Sequence, residues 1–141
     1  MSLRADVEAA NQAFYAAFEA ADLDAMRALW LEDDQILCIH PGQVPLRGVR
    51  DVDRSWALLM ANTSYIQFFL TDLEVSVLPD VDAGVATVTC TENILTGTRE
   101  VIGFGGARAM ATNVFVRTPD GWRLWIHHAV PVLSEENHGD A

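Results

Sequence analysis

Basic residues are scarce in this chain: nine against twenty acidic side chains leave a net charge of -11 over 141 residues. Nothing supplies the basic stripe that a phosphate backbone needs, so nucleic acid is not an expected partner. Long apolar runs are missing as well. None approaches the roughly eighteen apolar residues of a membrane-spanning helix, and the opening MSLRADVEAANQ lacks the apolar core of a secretion signal. The expectation is a cytoplasmic protein without a membrane partner. Cysteine occurs only twice, at Cys38 and Cys90, with no CxxC spacing and in apolar, strand-like segments. Two reduced, buried thiols are expected there, not a disulfide framework.

Several motifs that would point to particular chemistry are also absent. There is no GxSxG, and neither cysteine has an evident base beside it, so nucleophilic catalysis has no signal. The glycines of GFGG at 103–106 do not lead from a strand into a helix with nucleotide-loop spacing, and flexibility is their simpler meaning. No HxH or HExxH spacing occurs, so no metal is expected, and the function expected of this chain requires no cofactor. The chain also lacks internal repeats and low-complexity segments.

Half of the residues are hydrophobic, enough for one well-buried core at this length. A single domain over 1–133 is expected, followed by a flexible polar tail at 134–141. Val7, Ala10, Phe14, Ala17, Phe18 and Ala21 form one helical stripe over Ala5–Ala21. Asp22 or Asp24 can cap a shorter helix, Ala25–Leu31, that buries Met26, Leu29 and Trp30. Ile36–His40 reads as a short strand stopped by Pro41-Gly42, Gln43–Gly48 as a loop, and Val49–Ala61 as a third helix. Long strands follow at Tyr65–Leu78, Gly84–Leu95, Arg108–Arg117 and Trp122–Val132. A turn at Pro79–Gly84 divides the first two, and a mobile crossing loop at Thr96–Gly106 precedes the third. Helices first and antiparallel strands afterwards describe an α+β fold, with a curved mixed or antiparallel sheet wrapped around three N-terminal helices.

The last two strands concentrate Asn113, Trp122, Trp125, His127 and His128 around Thr118-Pro119-Asp120-Gly121. Pro, Asp and Gly in that order favour a three-residue loop with a glycine bulge. This register sets Val114 against Ile126 and Thr112 against His128 on one face, and Phe115 with Trp125 and Asn113 with His127 on the other. A two-residue loop would slip the pairing by one and set Asn113 against Ile126. Both faces are largely apolar. One must pack on helices, and the other on a second sheet, a partner subunit or a ligand.

ADLDAMRALWLEDD, the strand ending in CIHPG, LRGVRDVDRSW, ATNVFVR and GWRLWIHHA together resemble the SnoaL-like branch of the nuclear-transport-factor-like superfamily over nearly the whole chain. The resemblance implies a cone, with a sheet closing over the helices, an internal apolar pocket, and a homodimer formed through the outer sheet face. In the related ketosteroid isomerases a catalytic aspartate stands directly before the proline that ends the first strand, where this chain has His40. A helix-one tyrosine of those enzymes falls on Phe14, with Tyr15 beside it, and their oxyanion-binding acid lies near Asn113. The association domain of calcium/calmodulin-dependent kinases is similar at Cys38 to Pro41 and carries a pocket arginine at the place of Asn113.

His40, held extended by Pro41, has an imidazole able to take a proton near neutral pH, and the same position suits a histidine closing a strand end on backbone. Asn113 left unpaired in apolar surroundings would cost about 1 to 3 kcal/mol, so it must meet a ligand oxygen or a neighbour such as His127. His127 and His128 point to opposite faces and cannot share one metal site. Phe14, Tyr15, Cys38, Trp56, Phe115 and Trp125 are the expected ligand-lining residues. The function expected is a small-molecule-binding protein, as a cofactor-independent isomerase, cyclase, dehydratase or hydratase. In it His40 would be base or acid, and Asn113 and His127 would hold the polar end of the substrate. The alternative is a non-catalytic ligand-binding or association module.

Overall fold

The computed structural model describes residues 3–78, 84–97 and 104–132. Most of the turn expected at 79–84, the centre of the crossing loop, and the tail at 134–141 lie outside the described residues. The elements are α1 (Leu3–Glu19), α2 (Leu23–Leu29), β1 (Leu37–Ile39), β2 (Leu46–Arg47), α3 (Val49–Asn62), β3 (Tyr65–Leu78), β4 (Val85–Gly97), β5 (Phe104–Thr118) and β6 (Gly121–Pro131). Three helices thus precede a mixed sheet in the order β2-β1-β6-β5-β4-β3, antiparallel except where β1 runs beside β6. The sheet is not closed; β2 and β3 are its edges. No helix among the described residues is long and apolar enough to cross a membrane.

The stripe on α1 buries Val7, Asn11, Phe14 and Tyr15, at the spacing of one helix face. That face lies across β3, β4 and β6. Asp22 caps α2 by accepting from the Ala25 amide at 3.0 Å, and the helix stops at Leu29. Trp30, expected inside that helix, is instead extended (φ -94, ψ 149) and forms a parallel bridge to Leu124, which turns its ring into the core. Leu46–Arg47, expected as loop, pairs with β1 as β2. Phe104–Gly106, expected in the crossing loop, already pairs with Leu95–Gly97 as the start of β5.

The β5–β6 hairpin pairs Asn113 with His127 and Thr112 with His128, but not through the expected geometry. At the turn Thr118 pairs with Gly121 in a two-residue loop, so Val116 meets Arg123 and Phe115 meets Leu124. Gly121 supplies the left-handed φ of 114 that this turn needs. The register then shifts between Phe115 and Val114, and Trp125 is the extra residue. The bulge has a plain physical reason. Without it Leu124 inward would force His127 outward, whereas with it Trp122, Leu124, His127 and Ala129 are all buried.

Leu124, fully buried and paired with Phe115 just before the bulge, anchors this arrangement. Leu124→Ala should cost about 2 to 5 kcal/mol in urea denaturation. A loss below 1 kcal/mol, within the scatter of surface changes, would mean that this end of the hairpin is not packed as described.

Candidate active site

A cavity of about 520 Å³ lies between α1, α3 and the inner sheet face, within the size range of small-molecule sites. Phe14, Phe18, Trp56, Leu59, Ile66 and Phe68 supply apolar wall. Their rings meet edge-on, Phe14 to Trp56 at 5.4 Å and Phe18 to Trp56 at 5.1 Å, which fixes the wall's shape. Tyr15, His40, Ser55, Glu92 and His127 also line it and are its main polar groups.

Glu92 stands on β4 in the inward row Ala86, Val88, Cys90, Glu92 and is 3% exposed. The Tyr15 hydroxyl donates to its Oε2 at 2.6 Å. Burial pushes the Glu92 carboxyl up to about 7, and the bond from Tyr15 opposes that rise. Burial, and then the charge of Glu92, raise the Tyr15 phenol far above its ordinary value, so Tyr15 stays a donor. Cys90, with its sulfur 3.7 Å from the same hydroxyl, is raised to about 11 by burial and stays a thiol.

Tyr15 joins this carboxyl to a second group. Asn113, fully buried on β5, donates from Nδ2 to Asn11 Oδ1 at 2.8 Å and to the Tyr15 hydroxyl at 3.3 Å. With both donors of the amide committed, its Oδ1 lies 2.6 Å from His127 Nδ1 as an acceptor. His127 therefore carries its proton on Nδ1 and keeps a bare lone pair on Nε2. Burial first, then the neighbouring His40 and His128, lower its pKa to about 3, so the ring is neutral at ordinary pH.

His40 closes the other side. Its Nε2 lies 3.0 Å from Ser55 Oγ, and Ser55 spends its own proton on the Val52 carbonyl at 2.7 Å. His40 is thus the donor in that pair. Its ring packs edge-on against Trp56 at 4.8 Å and stands 6.4 Å from His127. Burial lowers its pKa to about 4.

Among the expected residues, His40, His127, Phe14, Tyr15 and Trp56 meet at this cavity. Asn113 sits behind its wall and reaches it only through Tyr15 and His127. Cys38, Phe115 and Trp125 are not brought to it. Cys38 lies beneath His40, its sulfur 3.6 Å from Nε2, with the thiol raised by burial. Phe115 is core, and Trp125 is a correction: as the bulged residue it leaves the Asn113 face and donates from Nε1 to the Gln35 carbonyl at 3.2 Å. Glu92, Asn11 and Ser55 were not expected. The alternation of Ala86, Val88, Cys90 and Ile94 was the available signal for Glu92, because it puts a carboxylate on an otherwise apolar strand face. Among the described residues no group of three or more His, Cys, Asp or Glu side chains is placed to hold a metal.

An open mixed sheet over three helices is the architecture this chain shares with proteins of the NTF2-like class. The chain matches the SnoaL-like domain family over residues 7–133 and belongs to it. It is 49% identical to a Streptomyces avermitilis protein of the NTF2-like family whose structure names it a candidate dehydratase, with 93% of this chain and 96% of that one aligned at a TM-score of 0.84. A candidate calcium/calmodulin-dependent protein kinase type II association domain from Thiobacillus denitrificans is 34% identical, covering 89% and 94% of the two chains at a TM-score of 0.66. The F-box protein SKIP8 of Arabidopsis thaliana is 25% identical over 126 residues; these are 89% of this chain and 49% of that protein, so the chain spans about half its length.

The raised Glu92 carboxyl has a thermodynamic consequence. Below about pH 4.5 it is protonated both folded and unfolded, and it costs nothing. Between 4.5 and about 7 the folded state keeps a proton that the unfolded chain releases, so stability is lost as pH rises. The loss is complete above about 7 and amounts to roughly 3 kcal/mol. Glu92→Gln should therefore be more stable than the parent at pH 8 by roughly that amount, with the advantage vanishing below about pH 4.5, in parallel urea denaturation series. The histidine contributions cancel in this difference. A gap that does not change with pH would contradict the burial of an ionisable carboxyl here.

Proposed function

We propose that the cavity is the active site of a cofactor-independent acid-base enzyme that eliminates or adds water, or moves a proton, on a small, mostly apolar molecule. Glu92 carries this reading. A carboxyl held near neutral pH in a mostly apolar cavity, facing the same space as a neutral histidine with a bare Nε2, is an acid and a base set apart by their surroundings. The 49% identical relative named a candidate dehydratase favours water elimination within this group of reactions.

In the elimination direction His127 Nε2 takes a proton from the carbon beside a substrate carbonyl. The C–H electron pair becomes the new double bond, and the hydroxyl on the next carbon leaves with the Glu92 proton as water. Each group resists ionising alone, but the step creates a cation and an anion together, and their attraction in a poorly screened cavity offsets part of both costs. Tyr15 orients Glu92, and Asn113 orients His127; both are positioning residues. His40, with its Nε2–H directed at Ser55, holds the far side of the polar end or, through its unprotonated Nδ1, serves as the second base.

A second reading draws on the other sheet face. Phe69, Met110 and Val130 are exposed there, in the strand rows that also carry His128, and a 34% identical relative is named a candidate association domain. This face is the proposed homodimer surface, and it is compatible with either a catalytic or a purely associative protein. The two free, buried cysteines fit a cytoplasmic setting.

Turnover in a screen of small hydroxy ketones should follow a bell between the histidine limb near pH 3 to 4 and the Glu92 limb near 7. Glu92→Gln should lower kcat by about 100-fold or more, in the range of a lost general acid. His127→Gln against His40→Gln identifies the base. Undiminished turnover in Glu92→Gln would sink the assignment.

A further inference from the structure

We infer that the cavity selects an uncharged ligand bearing a carbonyl or hydroxyl oxygen, and that it rejects carboxylates. This rests on the cavity being the ligand site and holds whether or not chemistry follows there. The basic residues of this chain are all arginines, and none of those the structure describes, Arg4, Arg27, Arg47, Arg50, Arg54, Arg108, Arg117 and Arg123, lines the cavity. The ionisable groups that do line it are Tyr15, His40, Glu92 and His127. Both histidines are neutral at ordinary pH, so no described cation faces a ligand anion.

A ligand carboxylate would thus be buried beside Glu92 with no cation among the described residues to pair it. Two carboxylates in one poorly solvated space cannot both ionise cheaply, and a net charge of -11 adds a field of the same sign. An ammonium finds no anionic partner at pH 6, where Glu92 keeps its proton, and gains one only as the carboxyl ionises above about 7. A neutral oxygen suits what the floor offers. The protonated Glu92 carboxyl donates to a carbonyl, and the bare Nε2 of His127 accepts from a hydroxyl.

Three near-isosteric probes separate the charge states: 2-acetylnaphthalene, 2-naphthoate and 2-naphthylmethylammonium, titrated into the full chain by calorimetry at pH 6 and pH 8. The ketone should bind best at pH 6, with the naphthoate and the ammonium each at least tenfold weaker. Raising the pH to 8 should weaken the ketone several-fold, since ionised Glu92 no longer donates. Glu92→Gln should remove that weakening, because its amide donates at both pH values. Tighter binding of the naphthoate at either pH, or of the ammonium at pH 6, overturns the inference, as does an absence of ketone binding at both pH values. Ketone selectivity with no turnover of any hydroxy ketone would leave it standing while removing the enzymatic reading.

Discussion

The hydrogen bond from Tyr15 to Glu92 is the constraint on which the rest of the site depends. It joins the first helix to the fourth strand inside an apolar interior, where an unpaired carboxylate would be costly. The same hydroxyl accepts from Asn113, whose amide is held by Asn11 one helical turn back along α1 and in turn faces His127. Four elements, α1, β4, β5 and β6, are thus pinned by one run of polar contacts. Such a run specifies how the helix seats on the sheet because every member depends on the others being in place.

The site would not exist without one irregularity in the sheet. The extra residue at Trp125 lets β6 present Leu124 to the core and His127 to the cavity, although three positions separate them and strict alternation would send one of them outward. Bulges recur where a strand must re-aim a side chain, and here the re-aimed side chain is the histidine on Asn113. His128, one residue further, then falls on the outer face with Thr112, so the adjacent histidines serve two different surfaces.

The fold was legible because its signals are periodic. The α1 stripe, the Asp22 cap and the long two-sided apolar strands each point to one local structure, and together they define an α+β domain. Local composition misled where a tertiary contact decided the outcome. Trp30 continues the α2 pattern in sequence but is drawn out of the helix by its bridge to Leu124, and Leu46–Arg47 becomes a strand only because β1 is there to pair with it. The turn composition predicts the pairing of Asn113 with His127 for an incomplete reason: the register shift falls at Trp125 and not at Gly121, so Trp125 lies on the opposite face from the one expected. Glu92 is inconspicuous in sequence because a charged residue within a threonine-rich strand reads locally as a surface position. Only the inward alternation of its neighbours gives it away.

What the account requires most specifically is the state of one imidazole. Nitrogen-15 shifts of His127, measured across pH 5 to 8, should report a neutral ring with the proton on Nδ1 throughout, because Asn113 Oδ1 takes that proton and burial suppresses the cation. A ring that becomes cationic in this range, or a proton found on Nε2, would contradict both the hydrogen-bond run and the base assigned to it.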